Sequence, residues 1–144
     1  MRKNKGFSLV ELIIVIAIMA ILVGVMAPQL IKYIEKSKVS ADTQSADSVH
    51  TAIVTAMLDP EVAQDSAYDA NVSNIQGAIG EGATFGAGLL GSTANEILGG
   101  STPSLKSNGH SGYSVQISNS TVIVTLPGTD STGKKAGSPN IVVK

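Results

Sequence analysis

The sequence predicts an α+β fold, with one long N-terminal helix followed by a small C-terminal antiparallel sheet. Three observations predict it. Leu12 to Ile31 is a run of twenty residues with no charged side chain. Beyond it, Ala46, Val49, Ile53 and Ala56 recur at spacings of three and four, the pattern of an amphipathic helix. Near the C-terminus the period changes to two. Tyr113, Val115 and Ile117, then Val122, Val124 and Leu126, alternate with polar residues, as half-buried strands do.

The apolar run is about 30 Å long as a helix, enough to cross a bilayer. Three readings of it compete. A secretory signal peptide has a basic start, and Arg2, Lys3 and Lys5 supply one. Its apolar core is shorter than this run, however, and a small-x-small cleavage site follows it. None follows here, and Glu11 stands at the start of the apolar stretch. A plain membrane anchor fits the length and explains everything except Glu11 and the Gly6-Phe7 junction. The third reading explains those as well. A carboxylate at the edge of an apolar helix is costly unless paired. Cutting between Gly6 and Phe7 would create an α-amino group one helical turn from Glu11. That amine could neutralise the carboxylate within one chain or between neighbours. Negative charge near a helix N-terminus is also favoured by the helix dipole.

The leader Met1-Arg2-Lys3-Asn4-Lys5-Gly6, followed by Phe7-Ser8-Leu9-Val10-Glu11 and the apolar run, resembles the prepilin signature of type IV pilins and type II secretion pseudopilins. The resemblance covers about the first thirty residues; beyond them only the architecture matches. It implies a pilin-like fold, with the helix half in the membrane or filament core and half amphipathic. It implies a leader over residues 1–6, a transmembrane or filament-core segment over 7–31 and a globular head over 32–144. It further implies that a prepilin peptidase cuts after Gly6 and methylates the Phe7 nitrogen, and that Glu11 guides assembly by meeting the Phe7 amine of a neighbour. Pro28 matches a proline common in the family's helix. Many members carry Gly midway along the run, where this chain has Ala20, and Gly24 follows four residues later. Gly24 and Pro28 both weaken helical hydrogen bonding, so a kink, or loosening in a filament, is expected between them. Gly24 also suits close helix packing in a membrane, and the two roles are compatible.

Three basic residues precede the run, and Lys32, Lys36 and Lys38 follow it. The positive-inside count is therefore balanced. The cytoplasmic N-terminus, the outward head and the later surface filament come from the resemblance. So do the partners: copies of itself, the peptidase, the inner-membrane assembly machinery and, before assembly, lipid.

The helix is expected from about Ser8 to Leu58, with Asp59 capping and Pro60 opening a short helix that ends near Asp69. Residues 71–112 are rich in Gly, Ala, Ser and Thr and read as a long surface connection, with a helical turn at Ala94 to Leu98. Asn119-Ser120 turns the hairpin. Ile141-Val142-Val143 adds a third strand after a polar loop from Gly128 to Asn140. One face of the sheet should pack on the amphipathic half of the helix.

Composition excludes several functions. With no cysteine, disulfides, thiol catalysis and thiolate zinc sites are absent. Without residues 1–6, seven basic side chains face eleven acidic ones, a net charge of −4. That balance and the five Phe and Tyr residues disfavour direct nucleic-acid binding. Gly86-Ala87-Gly88-Leu89-Leu90-Gly91 fits a dinucleotide pattern without its strand, helix or downstream acid, and reads as a flexible loop. His50 and His110 have no companion ligands, and no nucleophile elbow is present. Asp130 alone is too little for a calcium loop, a feature of many major pseudopilins. No metal, cofactor or enzymatic activity is expected. Asn71-Val72-Ser73 and Asn119-Ser120-Thr121 fit a glycosylation sequon. The expected function is that of a type IV pilus subunit. The alternatives are a pseudopilin or competence-type pilin and, from another class, an uncleaved single-pass anchored binding module.

Overall fold

The computed structural model describes residues 6–107, 109–110, 112–127 and 141–144. Two compact units result, Met1–Ser37 and Lys38–Lys144. The long helix α1, Leu9–Met57, contributes residues to both.

In the first unit every described side chain is exposed. An 18-residue window of α1 reaches a mean hydropathy of 3.0, so by length and composition the helix can cross a membrane. The helix is unbroken through Gly24 and Pro28. Pro28 has no N–H to offer the carbonyl four residues back, which is that of Gly24.

In the second unit α1 buries one stripe: Ala46, Val49, Ala52, Ile53 and Ala56, with Asp42 at its start. Ile31 and Ile34, in register with that stripe, belong to the exposed unit. After Met57 the backbone turns at Asp59. Its carboxylate accepts the Glu61 N–H at 2.9 Å, and Pro60 opens helix α2, Pro60–Ala63. Helix α2 ends sooner than the expected boundary near Asp69. The Asp65 carboxylate accepts the Ala67 N–H at 3.0 Å and the Asn71 side-chain N–H at 2.7 Å. This local turn breaks the helix, and a separate helix α3 runs over Tyr68–Ile75.

The stretch over 71–112 is not a weakly structured connection. It contains the end of α3, strand β1 (Gly77–Gly80) and helix α4 (Leu89–Ile97), and it buries Ile75, Phe85, Leu90 and Ala94. Side chains rather than periodicity order it. Asn95 brackets the Phe85 backbone, accepting its N–H at 2.8 Å and donating to its carbonyl at 3.4 Å. Thr102 donates to the Gly80 carbonyl at 2.8 Å and accepts from Ala83 at 3.2 Å. The expected turn at Ala94 to Leu98 is the C-terminal half of α4. Gly99 and Gly100 close that helix by donating to the Glu96 and Asn95 carbonyls at 3.0 and 2.8 Å.

The sheet is an antiparallel meander in the order β1-β2-β3-β4. Strands β2, Gly112–Ser118, and β3, Thr121–Leu126, form the expected hairpin. Asn119 and Ser120 turn it with φ of 48° and 64°, the two positive values of a type I′ turn. Val115 faces Val124 and Ile117 faces Val122. Strand β4, Ile141–Val143, pairs with β3 as expected. Strand β1 on the other edge was not foreseen, because Gly77-Ala78-Ile79-Gly80 has no alternation and little β-propensity. Tyr113, Val115, Val122, Val124 and Leu126 share one core with the α1 stripe. The loop Gly128 to Asn140, with Asp130, and the leader residues 1–5 lie outside the described residues.

Candidate processing and assembly site

Gly6, Phe7 and Ser8 precede the first helical turn in non-helical backbone. Phe7 is 90% exposed, and a Cβ built on Gly6 would meet nothing within 4 Å. Among the described residues, nothing packs on the Phe7 ring or fills the space beside Gly6. Ser8 carries the first helical carbonyl, which accepts the Leu12 N–H at 3.2 Å. Three residues on, Glu11 reaches back, and its Oε2 accepts the Ser8 N–H at 2.8 Å. This is the return half of a capping box. It satisfies one orphan donor of the helix and places negative charge at the positive end of its dipole. The Glu11 carboxylate is thus held on the amide next to residue 7. The carboxylate and the Gly6-Phe7 junction are brought together by one helical turn. Gly24 and Pro28 lie further along α1, away from that cluster in sequence.

A second polar site escaped the sequence. Asp42, wholly buried, accepts the Lys106 N–H at 2.6 Å, the Ser107 N–H at 3.0 Å and the Ser107 hydroxyl. Nearby, Glu81 accepts the Leu105 N–H at 2.8 Å, and the Tyr113 hydroxyl donates to the Pro103 carbonyl at 2.7 Å. These contacts tie the segment over 102–107, which has no regular structure, to α1 and to β2. Burial pushes the Tyr113 phenol up to about 12; the Asp42 and Glu81 charges add to the shift and the Ser45 hydroxyl partly offsets it. An aspartate on the buried stripe of an amphipathic helix was the one available signal.

The glycine-rich segment that formally matched a dinucleotide loop is packed rather than flexible. Gly88 has φ +130°, and a Cβ there would collide with the Asn71 side-chain oxygen. A Cβ on Gly91 would collide with the Gly86 carbonyl. The sequon asparagine Asn71 is itself buried, with its amide donated to Asp65. Asn119 lies exposed in the hairpin turn.

Fold and site define a class: an α+β subunit on a long helix whose apolar half is uncovered and begins with a capped carboxylate beside an open junction. The family model for the prokaryotic N-terminal methylation motif matches residues 1–27. Two curated relatives, each a type IV major fimbrial protein FimA of Dichelobacter nodosus, are 41% and 39% identical over 77 residues. A fimbrial protein of Moraxella nonliquefaciens is 44% identical over 55 residues, 38% of this chain and 36% of its own length. The 77-residue matches take in 54% of this chain and 48% or 49% of the relatives, so the likeness spans about half of their length. No solved structure matches the chain. The motif and these relatives together support a type IV pilin.

Proposed function

We propose that this chain is the structural subunit of a type IV pilus, cut after Gly6, N-methylated on Phe7 and polymerised through α1. The observation that carries this reading is the uncovered apolar face. Eighteen large apolar side chains between Leu9 and Ile34 are exposed. At roughly 1.5–3 kcal/mol for each one fully buried, their removal from water is worth on the order of tens of kcal/mol. Lipid covers them in the precursor, and the helices of other copies cover them in a filament. Among apolar neighbours Glu11 needs a partner. Once residue 7 carries a free amine, that amine is a stronger partner than the Ser8 amide, and a copy lacking it is out of register. Gly24 and Pro28 are where α1 loosens in the filament, because the Gly24 carbonyl is already without its helical donor. The precursor sits with its N-terminus in the cytoplasm and its head outside, served by the prepilin peptidase and the inner-membrane assembly machinery.

N-terminal mass analysis of the exported protein tests the reading. The expected N-terminus is N-methyl-phenylalanine at Phe7. An exported chain that still begins at Met1 would refute processing and favour the uncleaved anchored module.

A further inference from the structure

We infer that a groove at the end of α1 and along α4 is a docking site for the Ile31 to Lys36 segment of a second copy of this chain. This rests on the filament reading and names a contact outside the apolar helix bundle. Thr55, Leu58, Asp59, Thr93, Glu96 and Ile97 line a groove of about 570 Å³. Among the described residues from Lys38 onward, only Leu58, Ile97 and Val142 are large apolar side chains left exposed, and two of the three meet in this groove. Leu58 is 76% exposed and Ile97 46%. Apolar side chains gathered under a polar rim mark an interaction surface.

The rim fixes the sign of the occupant. Asp59 and Glu96 flank the apolar floor, and no Lys or Arg occurs between Val39 and Leu105. The partner therefore carries positive charge beside apolar bulk. The segment Ile31-Lys32-Tyr33-Ile34-Glu35-Lys36 supplies both, with two lysines against one glutamate. Ile31, Lys32, Tyr33 and Lys36 are all exposed on α1. Lys32 and Lys36 are one helical turn apart and so share a face. Every copy presents one groove and one cationic segment, so the two match in number. Because the patches differ, the contact is head-to-tail, and a head-to-tail contact that does not close propagates into a helical filament. Copies held together through their apolar helices also meet at high effective concentration, which makes a modest contact sufficient.

The absence of native cysteine makes cross-linking a direct test. Filaments made from full-length Tyr33→Cys/Ile97→Cys chains are oxidised and run without reductant. The expected result is a ladder of dimers, trimers and higher products of this chain alone, absent from either single variant. A Tyr33→Cys/Thr121→Cys pair, with its second thiol on the hairpin, should give none. A charge exchange gives a second readout. Glu96→Lys and Lys36→Glu each lower filament recovery by at least about tenfold, since like charges juxtaposed in an interface cost several kcal/mol, and combining them restores it to within about threefold. Filaments that form normally but give no ladder, a ladder equally strong from the hairpin control, cross-links to a different protein, or a double charge variant no better than the singles would each overturn the docking contact while leaving the pilin reading intact. Failure of the unmodified chain to form filaments would overturn both.

Discussion

Replacing Asp42 with Ala should destabilise the head far more than its place on an otherwise apolar helical stripe suggests. The carboxylate holds two backbone N–H groups and one hydroxyl, 64 and 65 residues further along the chain. A hydrogen bond to a charged group contributes about 1.5–3 kcal/mol, and a buried donor left unpaired costs about 1–3 kcal/mol. Lys106 is exposed, so water can replace its share. Ser107 is buried and loses its amide and hydroxyl partner together. Relief of the desolvated charge offsets part of the loss. The net expectation is about 3 kcal/mol, with Asp42→Asn near 2 kcal/mol because one carbonyl oxygen remains to accept. Full-length chain in detergent micelles, unfolded by urea and followed by circular dichroism, reads this difference. Hydrogen exchange at Lys106 and Ser107 locates it, since both amides should lose protection before the strand amides of β2 and β3. A stability change below about 0.5 kcal/mol, with exchange at 106 and 107 unaltered, would show that the clamp contributes nothing to the fold.

Three further outcomes are expected. Glu11→Ala loses only an exposed cap bond, about 1 kcal/mol of helix stability, so precursor insertion should persist while filament incorporation collapses; Glu11→Gln keeps an acceptor for Ser8 and should restore the cap but not assembly, and normal filament yield from either variant would remove the carboxylate from the mechanism. The Tyr113 phenol, raised from 10.0 to about 12, stays protonated in the folded chain while the unfolded chain ionises. Its contribution is therefore fully present below pH 10 and is lost as pH rises from 10 to 12, by at most about 2–3 kcal/mol. The spectral step at 295 nm that disappears in Tyr113→Phe should have its midpoint near the upper end of that window, and a midpoint at 10 would contradict its burial. Gly88→Ala places a methyl group against the Asn71 oxygen in backbone with φ +130°, so a loss of more than about 2 kcal/mol is expected; thermal unfolding measures it, and an unchanged midpoint would mean that the Asn71 side chain moves aside freely.

Residues near one another in sequence carried most of what could be read without coordinates. The hairpin is such a case: alternation set which faces of β2 and β3 turn inward, and Asn119-Ser120 set the register that pairs Val115 with Val124. The end of α1 is another, because Asp59-Pro60 acts within two residues. The stretch over 71–112 is the counterexample. Its order depends on Asn95 meeting Phe85, Thr102 meeting Gly80, and Asp42 meeting Ser107, pairs separated by ten to 65 residues and involving polar side chains that obey no period. Glycine was misleading there for a physical reason. The same residue type marks a loose linker and a backbone packed too closely for a Cβ, and only the neighbours of Gly88 and Gly91 distinguish the two.

The sequence by itself determined the long helix and the carboxylate at its start, because a run of apolar residues and one charge at its edge act through local chemistry alone. It also determined that residues 12–31 carry no charged side chain and are long enough as a helix to cross a bilayer. Only the tertiary structure decided that Glu11 is engaged by the Ser8 N–H, that a buried aspartate holds the segment before β2, and that Leu58 and Ile97 share an acidic groove. Each of those depends on where atoms distant in sequence, or side-chain torsions within a turn, finally come to rest, and hydrophobic periodicity carries no record of either.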